Sequence, residues 1–165
     1  LCRLSGGVVD RIANAVAVNH IYGNPAIVID MGTATVFDVM TKGPKYIGGA
    51  IAPGIQVSAE AIARETSQLP KVELIAPPSV IGKNTVESIQ SGFVYGFVHM
   101  IEGMTKRIKN QIDKNERDLV KVIATGGLAH IITPHTNIFH DVNKDLTLHG
   151  LRIIKDINQK DNPVK

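Results

Sequence analysis

Hydrophobic positions along the chain follow two periods. Val9, Ile12, Ala13, Val16, Ala17 and Ile21 recur at helical spacing, so residues 9–22 predict an amphipathic helix that Gly23-Asn24-Pro25 stops. The run Ala26-Ile27-Val28-Ile29, rich in β-branched residues and ending at Asp30, predicts a buried strand. Residues 35–40 predict a second strand, joined to the first through Gly32-Thr33 as a hairpin. Lys42-Gly43-Pro44 turns the chain into a third strand over 46–51, completing a meander that Pro53-Gly54 ends. Helical spacing resumes over 55–65. Four breakers (Pro70, Pro77, Pro78 and Gly82) predict a loop over 66–83. From Asn84 to Ile112 apolar residues again fall at steps of three and four. A helix of that length spans roughly 40 Å. Along it Ser88, Gly92 and Gly96 form a row of small residues, which predicts close packing on a sheet or on a partner subunit. Residues 119–124 predict a last strand, then Gly126-Gly127 and a short helix from Leu128, with a closing helix over 149–157.

Composition narrows the class. The 165 residues are 44% hydrophobic but only 4% aromatic, with no Trp, so the core must be aliphatic. The net charge of +3 is mild, and the densest basic stretch, 106–117, is interleaved with Asp113 and Glu116. That is the pattern of a solvated helix end rather than of a nucleic-acid patch. A single cysteine, Cys2, permits no disulfide within the chain, which makes a reducing cytoplasm the expected compartment. No apolar run reaches the roughly 18 residues of a membrane helix, and no signal peptide is visible.

Candidate chemistry lies at strand ends. Asp30 would stand at the mouth of the sheet, where a carboxylate could hold a cation that neutralises phosphate. Gly32 would let the backbone approach a phosphate oxygen, and Thr33 and Thr35 offer hydroxyls. Alone, D-x-G-T is a weak motif, and a hairpin with an Asx-type turn is its favoured reading. Thr125-Gly126-Gly127-Leu128, a strand running through glycines into a helix N-terminus, is a second candidate, for a nucleotide; an ordinary tight turn is its plainer reading. Together the two loops fit an ATP cleft. Asp10 at the start of the first helix is a helix-start residue by default and a general base by function, with Arg11 beside it to pair with a carboxylate. His130, His135 and His140 share no helix face and read as loop or surface residues. Gly82-Lys83-Asn84-Thr85 matches the end of a phosphate-binding P-loop but lacks its upstream glycine.

Six segments then occur in a fixed order: DMGTATVFD (30–38), YIGGAIAPG (46–54), TSQLP (66–70), GKNTVESIQSG (82–92), IATGGLA (123–129) and DLTLHGL (145–151). Together they resemble the type III pantothenate kinases, over nearly the whole chain. The resemblance implies an α/β fold, a mixed sheet flanked by helices, forming one lobe of an actin-like (ribonuclease H-like) ATPase. It implies ATP-dependent phosphorylation of pantothenate, the first step toward coenzyme A, with Mg²⁺ and a monovalent cation (K⁺ or NH₄⁺), in a homodimer. By resemblance Asp10 is the catalytic base and Arg11 binds pantothenate. Asp30 is the monovalent-cation ligand, Gly32 and Thr33 contact ATP, and Gly126 and Gly127 border the adenosine. Thr66 binds substrate from the partner subunit. Val8 and Val9 line the substrate where the family has Gly-Ala, and Val8 would resist a positive φ there. Residues 1–165 correspond to the C-terminal lobe, without the family's N-terminal phosphate-loop lobe. The expectation is that the chain alone is inactive; a non-catalytic accessory member of the family or a dimerisation module is the alternative.

Overall fold

The computed structural model describes residues 8–43 and 45–161. Helix α1 (Val8–Ile21) leads into the meander β1 (Ala26–Met31), β2 (Ala34–Thr41) and β3 (Lys45–Pro53). Helices α2 (Ile55–Glu65) and α3 (Thr85–Lys109) follow, then a four-residue helix α4 (Lys114–Arg117), β4 (Lys121–Thr125) and α5 (Ala129–Ile132). A short 3₁₀ turn, the two-residue strand β5 (Asp141–Val142) and α6 (Leu146–Asp161) close the chain. The expected elements are present. The closing helix begins earlier than its apolar spacing indicated, at Leu146, and α4 and β5 were not anticipated: four and two residues carry too little periodicity to read.

The sheet has the order β3-β2-β1-β4-β5, antiparallel through β1–β2–β3 and parallel from β1 to β4 and β5. The buried run 26–29 lies at its centre. Side chains of a strand alternate between faces, and the two faces bury different sets. Ile27, Ile29 and Met31 join Phe37, Val39, Val122 and Ala124 under Phe93, Val98 and Ile101 of α3, with Ile55 and Ala59 of α2. Ala26, Val28, Met40 and Ile123 face the other way, onto Ala17 and Val18 of α1 and Leu146 of α6. With so few aromatics the core is aliphatic, and each fully buried Ile, Val or Leu contributes about 1.5–3 kcal/mol.

Helix α3 starts where its sequence provides a cap. Asn84 Oδ1 accepts from Glu87 N at 2.9 Å, while Glu87 accepts from Lys83 N at 2.8 Å and from the Asn84 amide at 3.0 Å. The P-loop-like Gly82-Lys83-Asn84-Thr85 is therefore a helix start. The row Ser88, Gly92 and Gly96 does not pack on the sheet. It lines an open groove of about 460 Å³ with Ile62, Leu69 and Phe97, and a Cβ at Gly92 or Gly96 would meet nothing within 4 Å. Among the described residues no helix is long and apolar enough to cross a membrane.

Helices α1 and α6 cross at backbone contact. A Cβ on Gly150 would lie 1.9 Å from Ala13 O and 2.4 Å from Ala13 C. Because the obstruction is backbone, the better helix propensity of a larger residue cannot offset it. Gly150→Val is expected to lower unfolding free energy by about 2–3 kcal/mol through forced separation of the helices, read by urea denaturation; unchanged stability would contradict this packing.

Candidate active site

Parallel pairing of β1 with β4 aligns Asp30 with Thr125, so the two loops proposed as phosphate and nucleotide contacts leave the sheet side by side. They touch. Gly126 adopts φ 93°, and a Cβ there would fall 2.5 Å from Asp30 Oδ1 and from Met31 O. Only glycine serves at this position, for conformation and for space. The backbone closes the junction through Leu128 N to Met31 O at 2.9 Å. Gly127 beyond it is exposed, with nothing within 4 Å of a Cβ position. The helix that follows, α5, has only four residues, so the expected helix-dipole contribution to a nucleotide is not built here; glycine backbone forms this wall. On the other side of Asp30, Gly32 and the exposed Thr33 make the β1–β2 turn. It rests on Gly54, the N-cap of α2, whose N donates to Thr33 O at 3.0 Å.

Hairpin register places two carboxylates on one face. Val28 pairs with Asp38 and Asp30 with Val36, so Asp30 and Asp38 are diagonal neighbours facing α1. The helix answers each. Asn14, 1% exposed, donates from Nδ2 to Asp30 Oδ2 at 3.1 Å and accepts at Oδ1 from the Thr147 hydroxyl of α6 at 2.7 Å. Arg11, one helical turn earlier, sets Nε 2.8 Å and Nη2 2.7 Å from Asp38 Oδ1. Tyr46 of β3 donates its hydroxyl to the same Oδ1 at 2.8 Å and accepts from Arg11 Nη2. The Arg11 guanidinium carbon sits 5.6 Å from the centroid of the Tyr46 ring. Asp38 is fully buried, and its Oδ2 has no hydrogen-bond partner among the described residues.

Asp10, exposed in the first turn of α1, completes the group. Burial pushes the Asp30 carboxyl above its ordinary value. The Asn14 hydrogen bond pulls it down, and the charges of Asp10 and Asp38 push it up again. Asp30, Gly32, Thr33, Gly126 and Gly127 thus lie at one end of the sheet, with Asp10 near enough for its charge to act on Asp30, while Arg11 sits further along the sheet on Asp38, opposite Val28. Val8 and Val9 fall in the first turn of α1, Val9 being 65% exposed and the Val8 side chain lying outside the described residues. Thr66 is not brought in. It caps the far end of α2, about 18 Å along the axis from Gly54, and its hydroxyl donates to Ile62 O at 2.8 Å.

Asn14, Tyr46 and Thr147 were missed from the sequence, and Asp38 was seen only as the end of a motif. One signal was available: a two-residue hairpin turn at 32–33 puts positions 30 and 38 on the same face, and an acidic residue amid Val36, Phe37, Val39 and Met40 demands a buried counter-charge. The three histidines are on the surface, as expected: His130 in α5, His135 in the 3₁₀ turn and His140 in a loop. His140 Nδ1 accepts from Val122 N at 2.9 Å, and no group of three His, Cys, Asp or Glu side chains able to hold a metal converges among the described residues.

The mixed sheet between two helical layers, with its glycine loop at the ends of parallel strands, has the actin-like fold that the resemblance implied. Two solved structures share the fold. One is a conserved putative Baf family transcriptional activator from Campylobacter jejuni (TM-score 0.63, 22% identity, 96% of this chain and 68% of that one). The other is the activator of 2-hydroxyisocaproyl-CoA dehydratase from Clostridium difficile with bound ADPNP (TM-score 0.55, 14% identity, 94% and 69%). The profile of the type III pantothenate kinases matches residues 7–107. A protein named type III pantothenate kinase from Dehalococcoides mccartyi is 50% identical over 150 residues, and one from Finegoldia magna is 46% identical over 153. The chain belongs to the type III pantothenate kinase family. These matches cover 91% and 93% of the chain but only 57% and 58% of the two relatives' length.

Asp30 is less easily ionised in the fold than in the unfolded chain. Its charge therefore costs stability once pH rises past its ordinary 3.8 and through its raised native value. Asp30→Asn is expected to raise the thermal midpoint at pH 7 and to give no advantage below pH 3.8, where the wild-type carboxyl is protonated in both states. A variant less stable than wild type at pH 7 would refute this balance.

Proposed function

We propose that the chain supplies the C-terminal lobe of a cytoplasmic kinase that transfers the γ-phosphoryl group of ATP to pantothenate, giving 4′-phosphopantothenate for coenzyme A synthesis. The observation that carries the reading is the packing of Asp30 against the glycine loop at Gly126, with the charge of Asp10 acting on the same carboxylate, in a chain of this family. Asp10 is exposed on a rigid helical turn and takes the proton of the attacking hydroxyl. Arg11 binds the substrate carboxylate. Thr33 and the Gly32 backbone meet the phosphates, and Gly126 and Gly127 border the adenosine.

The oxygen chemistry around Asp30 suits a hard cation: a half-buried carboxylate pushed up by burial and then by neighbouring carboxylates gains from any positive charge placed beside it. Asp30 would hold the monovalent cation, and Mg²⁺ would come with the nucleotide. Such ions neutralise charge on the transferring phosphoryl group. Phosphoryl transfer depends on positioning and charge neutralisation from both sides of the nucleotide. The remaining part of the relatives' length is accordingly assigned a phosphate-loop lobe that completes the clamp.

Thr66 reaches a site only if a second copy brings it. The open Gly92–Gly96 row, with the exposed Ile62 and the Leu69 and Phe97 side chains of the groove, is the face assigned to that homodimer. A second reading, an accessory protein that keeps ATP and has lost pantothenate, is favoured by Val8-Val9 where the family has Gly-Ala. Calorimetric titration separates the two: ATP binding without pantothenate binding supports the accessory role.

A coupled assay of pantothenate-dependent ADP formation tests the kinase. Turnover is expected from the two-lobed protein and not from the isolated chain. Asp10→Asn is expected to reduce kcat by about 10²–10⁴-fold. Asp10→Asn and Thr66→Ala proteins, each inactive, should recover about one quarter of wild-type activity when mixed and allowed to exchange subunits, because half of the dimers are mixed and each mixed dimer has one intact site. No recovery would place Thr66 in its own subunit's site or outside any site.

A further inference from the structure

Arg11, on α1, is held by two strands distant from it in sequence, β2 and β3, and the manner of holding is unusual for a structural ion pair. A stabilising Arg–carboxylate pair normally engages both oxygens in parallel. Here the Arg11 Nε and Nη2 groups and the Tyr46 hydroxyl all converge on Asp38 Oδ1, while Oδ2, in a fully buried carboxylate, has no hydrogen-bond partner among the described residues. The arrangement fixes the plane of the guanidinium at the expense of the carboxylate's own hydrogen bonding.

Tyr46 reaches this point because of a fault in the sheet. Val39 pairs with Gly48 but Met40 pairs with Tyr46, so β3 carries one extra residue, Ile47, at a bulge. Gly48 beside it adopts φ 118°. In unbroken register Ile47 would oppose Met40 and Tyr46 would face α3. The bulge turns Tyr46 onto the α1 face, against Asp38. Bulges beside functional sites commonly re-aim one side chain in this way.

The local charge balance makes orientation matter. Among the described residues, the contacts of this group show one basic side chain, Arg11, against three carboxylates, Asp10, Asp30 and Asp38. Net attraction for an anionic substrate is therefore weak at this end of the sheet, and capture of a carboxylate depends on directed hydrogen bonds from a preset guanidinium. An Arg side chain held in one rotamer loses little freedom on binding.

We infer that Asp38 and Tyr46 are positioning residues that lock the Arg11 guanidinium beside Asp10 for recognition of the substrate carboxylate. The identity of the substrate rests on the kinase reading above; the locking does not.

The intact enzyme carrying Asp38→Asn is expected to show a rise in KM for pantothenate of roughly 10- to 100-fold, the loss of one or two hydrogen bonds to a charged group, with a smaller change in kcat. Tyr46→Phe, which keeps the buried carboxylate and tests the idea if Asp38→Asn fails to fold, should raise KM less, by about threefold to tenfold. In an Arg11→Met background neither substitution should add further loss. A merely structural role would instead lower stability and add to the Arg11→Met effect. The same proteins are examined by NMR for solvent exchange at Arg11 Nε–H, which should be slow in wild type and accelerated in both variants. An active enzyme with unchanged KM in both variants, or exchange that does not respond to them, overturns the inference. Absence of pantothenate turnover in wild type with exchange behaving as described removes the kinase reading and leaves the locking in place.

Discussion

Two carboxylates on adjacent strands face a single helix, and the placement of that helix follows from them. Asp30 and Asp38 project from β1 and β2 on the face that also buries Val28 and Met40. An uncompensated charge there is costly: breaking a buried ion pair typically loses about 3–5 kcal/mol. Arg11 and Asn14 lie three residues apart on one side of α1 and reach one carboxylate each. The helix can satisfy both only in one rotational and axial setting. That setting carries Asp10, one residue before Arg11, to the open end of the sheet. Helix α6 holds it there through Thr147 on Asn14 and through Gly150 against the Ala13 backbone.

The sheet divides its labour by face. The side under α2 and α3 is dominated by apolar side chains, from Ile27 to Val122, and supplies most of the burial that stabilises the lobe. The side under α1 and α6 combines a smaller apolar cluster with the polar network, and the chemistry is there. Strand register keeps the two apart, since a slip of one residue would send both carboxylates into the apolar layer. Among the described strand pairs the bulge in β3 is the place where register is broken, and it moves Tyr46 from the apolar side to the polar one. Gly126 has a related role at the opposite edge of the site. Its positive φ and lack of a Cβ let the loop after β4 lie against Asp30, so the glycine loop and the carboxylate form one wall.

Helix α3 shows how local and tertiary signals differ. Its start was encoded in four consecutive residues, with Asn84 and Glu87 completing each other's hydrogen bonds. Its buried side was legible from the spacing of Phe93, Ile101 and Ile108. The row of small residues was legible as a row, but whether anything packs on it was not. In the folded chain that row is an open groove beside Ile62 and Leu69. Thr66 is a similar case: its motif marked it as functional, yet its backbone position at the end of α2 keeps it from the Asp30 cluster within one chain.

By itself the sequence determined the order of the elements, the hairpin whose register puts Asp30 and Asp38 on one face, and the glycines that permit the loop after β4. These are consequences of periodicity, turn chemistry and backbone sterics, all local in the chain. The tertiary structure alone decided which side chains answer the two carboxylates. Arg11 and Asp38 are 27 residues apart, Asn14 and Thr147 are 133 apart, and Tyr46 joins through a bulge that shifts register by one residue. Such contacts depend on how a helix docks across a sheet, and no local pattern specifies the partner of a buried charge.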